Sequence, residues 1–213
     1  MLKIFKMKIL IIKLGAIGDV IRTTSILPGL KEKYPDSKID WITKKESFDI
    51  LKNNNALNKI FTDFSSIEEK YDLIICLDDD DEACRAASEL KPKKLIGAYA
   101  ENGKKTYTND SAKWFDMGLI SKFGKKEADR LKALNNGTYQ EIMYGILDLK
   151  YKKQEPVLKL TEKEQSFGLA FAKKHGIGKN DLVIGMNTGA GGRWQDKRLG
   201  IEQTSELIDK IKT

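Results

Sequence analysis

The chain has 213 residues, with 38 lysines and arginines against 31 aspartates and glutamates and a formal net charge of +7. Hydrophobic residues at 40% and charged residues at 32% describe a globular protein and exclude a disordered or fibrous one. The longest apolar run near the N-terminus, Ile9 to Ile12 between Lys8 and Lys13, is too short for a membrane span of roughly 18 residues or a signal-peptide core of roughly 7. A cytoplasmic protein is expected. Two cysteines, Cys76 and Cys84, are too few for a disulfide framework or a Cys-based zinc site. The one histidine, His175, lies in Lys173-Lys174-His175-Gly176, which reads as the basic last turn of a helix closed by a glycine. The lysine excess is diffuse and carries no nucleic-acid signature; anionic small substrates or the anionic cytoplasmic leaflet suit it better.

In chain order, Lys8 to Leu14 is a β-rich run that ends in Gly15-Ala16-Ile17-Gly18. A helix pattern follows from Asp19, with Pro28 kinking or breaking it. Strands are expected at 38–43, 58–62, 71–77 and 94–100, and helices at 47–52 and 79–90. This alternation predicts an α/β fold with a parallel sheet covered on both faces. After Gly103 three helices are expected, at 111–123, 125–134 and 138–147. The polar stretch Tyr151-Lys152-Lys153-Gln154-Glu155-Pro156 then breaks the pattern. A helix at 161–175, a strand at 182–187, a glycine-rich loop at 188–198 and a helix at 201–212 complete the chain. The expected division is an α/β domain over 1–155 and the beginning of a second α/β unit over 156–213. One strand makes no sheet, so the second unit reads as truncated. The natural start is Met1 or Met7.

Three groups of residues carry candidate chemistry. In the first, Asp19 follows a strand and a Gly15/Gly18 turn, at the sheet edge where open α/β folds bind ligands. It reads as a helix N-cap or as a general base, with Arg22 and Thr23 one turn further on. G-x-G-x-x-G is absent, and an acid at the helix start opposes a pyrophosphate, which disfavours a dinucleotide oxidoreductase. In the second, Asn187-Thr188-Gly189-Ala190-Gly191-Gly192-Arg193-Trp194-Gln195-Asp196-Lys197-Arg198 suits a diphosphate: backbone N–H groups to cradle it, cations to neutralise it. It is no Walker loop, and the bland alternative is a plain connection. The third group, Asp78 to Asp81, could hold Mg²⁺, but first-turn carboxylates facing a helix dipole explain most of it.

The stretch MKILIIKLGAIGDVIRTTSILPGLKEKYPDSKIDWIT, Met7 to Thr43, resembles the N-terminus of glycosyltransferase family 9, the ADP-heptose:lipopolysaccharide heptosyltransferase family. Val183 to Lys212, with NTGAGGRW, DKRLG and ELIDKI, is similar to the start of that family's second domain. The resemblance implies a GT-B architecture of two Rossmann-like domains, the second incomplete here. It also implies inverting, metal-independent transfer of a sugar, a heptose by family habit, from a nucleoside diphosphate to a glycan or glycolipid acceptor. By the same resemblance Asp19 is the catalytic base. Gly15, Gly18, Arg22 and Thr23 lie on the acceptor side. Thr188, Gly189, Ala190, Gly191 and Lys197 bind the donor diphosphate. No metal and no cofactor beyond the nucleotide-sugar substrate is implied. Leu199 stands where the family often has an aromatic. The alternative is a non-catalytic remnant that binds an acceptor or a partner.

Overall fold

The structure, a computed structural model, describes residues 6–187, 189 and 198–212. The chain divides into two compact units, Met1–Thr161 and Glu162–Thr213. Residues 156–161 stay with the first unit because Val157 N–H donates to Thr24 Oγ1 at 2.7 Å and Asn53 Nδ2 to the Lys159 carbonyl at 3.2 Å.

The first unit is built on six strands: β1 (Lys8–Ile12), β2 (Lys38–Ile42), β3 (Lys59–Phe61), β4 (Leu73–Cys76), β5 (Lys94–Glu101) and β6 (Lys104–Tyr107). They lie in the order β3-β2-β1-β4-β5-β6, all pairs parallel except β5 with β6. Strand β1 is central, which explains why its run is apolar on both faces. Its Ile9 and Ile11 join one core with Trp41, Leu73 and Ile75, while Leu10 and Ile12 join the other with Ile74, Cys76 and Tyr107. Helices α1 (Ile17–Thr23), α2 (Ile26–Lys33) and, later in the chain, Tyr139–Ile146 cover the first core; Asp81–Glu89 covers the second.

Several sequence expectations are corrected. The helix expected from Asp19 begins at Ile17 and breaks at Thr24–Ser25, ahead of Pro28. Pro28 is then the third residue of α2, where a missing N–H costs no intrahelical bond. Helix α3 spans Lys45–Leu51 and α4 spans Asp81–Glu89. Strand β6 is an addition: Asn102 (φ +50°) and Gly103 (φ +75°) form a tight reverse turn, and Asn-Gly is a strong hairpin signal. The helix expected at 111–123 is only a short 3₁₀ turn and α5 (Ala112–Phe115). Beyond it the backbone wraps around Tyr107, whose hydroxyl donates to Asp116 Oδ1 (2.5 Å) and accepts from Lys122 N–H (3.0 Å). Helices α6 (Lys125–Leu134) and α7 (Tyr139–Ile146) follow, α7 with a Thr138/Glu141 capping box.

The second unit holds α8 (Glu162–Lys174) and α9 (Ile201–Lys212). His175 closes α8 as expected: Gly176 has φ +66°, its N–H reaches the Lys173 carbonyl, and Ile177 N–H reaches Ala172 at 2.9 Å. The strand expected at 182–187 is not one. A strand needs a ladder, and these residues have none among the described residues; Leu182 is 89% exposed.

Candidate functional site

A doubly wound sheet parts at the point where its strand order reverses, and ligands bind there at the carboxyl ends of the strands. In this chain that point lies between β1 and β4. The loops leaving these strands are pinned to each other. Asp78 Oδ2 accepts from Leu14 N–H (2.9 Å) and Gly15 N–H (2.8 Å), and Lys13 Nζ stands 3.3 Å from it while donating to the Leu77 carbonyl at 2.8 Å. Lys13 and Asp78 are both buried. Two backbone donors and a cation satisfy the carboxylate, which is what a buried charge requires. The last two acids of the run are occupied locally. Asp80 caps α4 by accepting from Glu82 N–H, and Asp81 pairs with Lys105 at 2.8 Å.

Above this pinned loop lies a cleft of about 460 Å³. Its polar lining is Lys13, Asp19, Arg22, Asp79, Lys132 and Asn135, and its apolar lining includes Leu77, Trp114, Phe115, Met117 and Leu119. Asp19 is not the N-cap of α1: that position is Ala16, with no side-chain cap, because the helix starts two residues earlier than expected. Its carboxylate is therefore released to the cleft. Oδ1 pairs with Arg22 at 2.9 Å, and Oδ2 faces the Gly15 backbone. A Cβ on Gly15 would sit 3.4 Å from Asp19 Oδ2 and 3.3 Å from Lys13 Nζ. The ammonium and the carboxylate thus flank one spot at the cleft floor.

Arg22 is held from behind by aromatics. Its guanidinium lies 4.2 Å from the Tyr139 ring centroid and 5.6 Å from that of Trp114, and the two rings meet edge to face at 5.1 Å. Such stacking fixes an arginine while leaving its N–H groups for a carboxylate. Thr23 is buried and does not line the cleft. Its hydroxyl donates to the Asp19 carbonyl (2.6 Å) and lies 2.7 Å from Tyr139 Oη. Burial pushes the Tyr139 phenol up to about 12, so it serves as a hydrogen-bonding group, not a base. Gly18 has open space where a Cβ would stand.

The structure thus brings Asp19 and Arg22 to one cleft, sets Gly15 beside the Asp19 carboxylate and turns Thr23 into their support. Sequence reasoning missed Lys13, Trp114, Lys132, Asn135 and Tyr139. The signal for Lys13 was a charge at the end of an all-apolar strand; the others come from 112–139, which no local pattern ties to β1. Of the residues expected on the donor side, Gly189 donates its N–H to Asn187 Oδ1 at 3.0 Å. Thr188, Ala190, Gly191 and Lys197 lie outside the described residues.

Neither protein-family models nor curated proteins match this sequence. Solved structures do. The crystal structure of a family 9 glycosyltransferase from Veillonella parvula DSM 2008 superposes with a TM-score of 0.71 at 16% identity, over 96% of this chain and 60% of that one. The fold is that of glycosyltransferase family 9. E. coli ADP-heptose lps heptosyltransferase II matches with a TM-score of 0.53 at 18% identity, over 96% of this chain and 62% of that one. The chain spans about 60% of the length of both structures, and the GT-B reading of its fold class, drawn from the two sequence motifs, stands. Among the described residues no helix is long and apolar enough to cross a membrane.

Proposed function

We propose that this chain is the acceptor-side domain, with the opening of the donor-side domain, of an inverting, metal-independent glycosyltransferase. The donor is a nucleoside diphosphate sugar, a heptose in the first instance. The acceptor is a glycan or glycolipid of the lipopolysaccharide type. The observation that supports this reading is the place of Asp19: at the switch point of the sheet, on the wall of the cleft, with one oxygen committed to Arg22 and the other open.

An acceptor hydroxyl is a poor nucleophile until its proton is removed as the new bond forms, and a positioned carboxylate does this. Asp19 Oδ2 takes the proton, and Arg22 keeps the carboxylate oriented through Oδ1. Trp114 offers a ring face to a sugar, and Lys132 and Asn135 offer hydrogen bonds to its rim. On the leaving side, negative charge grows on the diphosphate. The N–H groups of Thr188, Gly189, Ala190 and Gly191, with the ammonium of Lys197, supply the stabilisation. A second reading, a non-catalytic acceptor-binding module, draws on the 60% coverage of the structural neighbours.

The experiment is a transfer assay with nucleoside diphosphate sugars in a version extended through the second domain. Asp19→Asn should lower turnover by roughly 10²-fold or more with little change in donor affinity, and EDTA should leave transfer intact. Unchanged turnover in the Asn variant would remove Asp19 from the chemistry. Activity lost to EDTA and restored by Mg²⁺ would overturn the metal-free mechanism.

A further inference from the structure

The two cysteines of the chain, Cys76 and Cys84, stand seven residues apart in the sequence. Cys76 is the last residue of β4 and Cys84 the fourth of α4. The turn after β4 folds the helix back onto the sheet, and both side chains enter the same core, fully buried and unbridged. A buried thiol packs as a small apolar group, and either one alone would need no further account. Here both sulfurs address one polar atom. Cys76 Sγ lies 3.6 Å from the Asp78 carbonyl oxygen, and Cys84 Sγ lies 3.8 Å from the same oxygen. Hydrogen bonding between the two thiols holds Cys84 below its ordinary pKa and pushes that of Cys76 up, with burial adding to the rise. The pair is asymmetric: Cys84 gives up its proton more readily, and Cys76 keeps its own. The thiolate is the reactive form of a cysteine, and neither sulfur has a part in the chemistry proposed for the cleft.

We propose that Cys76 and Cys84 form a redox-modification site, at which hydrogen peroxide converts the dithiol to an intramolecular disulfide. The Cys84 thiolate attacks one peroxide oxygen. An S–O bond forms, the O–O bond breaks, and the other oxygen leaves with a proton as water. The Cys76 sulfur then attacks the sulfenic sulfur of Cys84. The S–S bond forms, the S–O bond breaks, and the hydroxyl leaves as water with the Cys76 proton. The two thiols lose two electrons and two protons, and the peroxide is reduced to two waters. Burial restricts the site to a small oxidant that enters as the first turn of α4 opens, where Asp81 and Glu82 are exposed. The consequence reaches the cleft floor through Asp78. Its backbone carbonyl accepts from the thiols, and its carboxylate accepts from Leu14 and Gly15 N–H. A disulfide carries no S–H, so the carbonyl loses those contacts and the pin between the β1 and β4 loops loosens. The proposal stands on these contacts and is independent of the transferase reading.

The test treats the folded chain with a small excess of hydrogen peroxide, alkylates the remaining thiols with N-ethylmaleimide in urea and reads the intact mass. The expected product is a monomer lighter by two hydrogens, which takes up no maleimide and which dithiothreitol returns to the dithiol. Cys76→Ser keeps a donor beside Cys84 but has no sulfur to close the bridge, so its oxidation should stop at a sulfenic acid that dimedone captures. Cys84→Ser should slow loss of the remaining thiol by roughly 10-fold or more, because the more acidic sulfur is gone. A melt of each variant checks that it is folded, and the wild-type mass measurement stands whatever the variants do. Hydrogen exchange at the Leu14 and Gly15 amides should be roughly fivefold faster in the disulfide form. Intact thiols in the folded protein, under conditions that consume free glutathione, would overturn the proposal. So would a bridge between two chains, or a sulfinic acid on one cysteine with the other untouched. Unchanged exchange with the disulfide in place would sever the link to the cleft floor.

Discussion

Asp19 illustrates how a single side chain is made available. An N-cap aspartate spends its oxygens on helix N–H groups; starting α1 at Ile17 moves Asp19 into the first turn and leaves them free for Arg22 and the cleft. Beyond the cleft, Glu69 gives a pH-dependent check on the fold. It accepts from Lys59 and Lys8, tying β3 to β1, and these two ammonium groups hold its carboxyl down to about 2. A depressed carboxylate pKa adds stability above the unfolded value, near 4.5, which fades as pH falls towards 2. Glu69→Gln should therefore cost ~1 kcal/mol or less at pH 7, given its partial exposure, and the difference from wild type should shrink below pH 4.5. Urea melts of both proteins at pH 7, 4.5 and 3.5 measure it; a constant difference would show that the carboxylate charge is irrelevant. At the proposed donor side, Lys197→Ala should weaken binding of a nucleoside diphosphate more than that of the bare nucleoside, since the lost contact is to phosphate. Titration calorimetry with both ligands tells these apart, and equal weakening would remove Lys197 from the phosphate.

At the scale of elements, β5 contains the tightest backbone requirement in the sheet. Gly97 has φ +115° and pairs with Cys76 of β4; a Cβ there would stand 1.9 Å from the Cys76 carbonyl oxygen. Gly97→Ala should cost roughly 3 kcal/mol or more through strain and forced separation of the strands. A thermal melt within a degree or two of wild type would refute this. Strands β1 and β4 were legible because each is a short apolar run between polar breaks, with a buried face on either side. Strand β6 was not, because Lys104-Lys105-Thr106-Tyr107 is polar and gains its place by pairing with β5. The helix expected at 111–123 failed for the converse reason. Its apolar spacing suits a helix, yet Tyr107 supplies hydrogen bonds that draw 116–122 into a wrap.

For the whole molecule, the contrast between the two units sets the expected behaviour. The first unit buries two cores around its sheet. In the second, α8 has no buried residue, and Phe167, Leu169 and Phe171 are all at least half exposed. Local stability follows buried contacts, so limited proteolysis of residues 1–213 should cut within 162–213 before 1–161. The same preparation should transfer no sugar, because the chain spans about 60% of the length of the two structures it resembles and a donor held by part of its site is not oriented for reaction. Turnover by a monodisperse, protease-resistant preparation would show this expectation to be wrong.

Local chemistry in the sequence was enough for the α/β class, the strand that begins at Lys8, the placing of Asp19 just after that strand's carboxyl end, and the closing turn at His175 and Gly176. Each rests on neighbours in the chain: apolar runs, glycines after a strand, a basic helix end. Only the tertiary structure decided that Lys13 and Asp78, 65 positions apart in the sequence, pin the loops at the switch point, and that Tyr139 and Trp114 brace Arg22. It likewise decided that Thr23 faces inward and that Leu119 and Lys132 line the same cleft as Asp19. These relations join residues far apart in the chain. They arise from strand order and helix packing, which local periodicity does not encode.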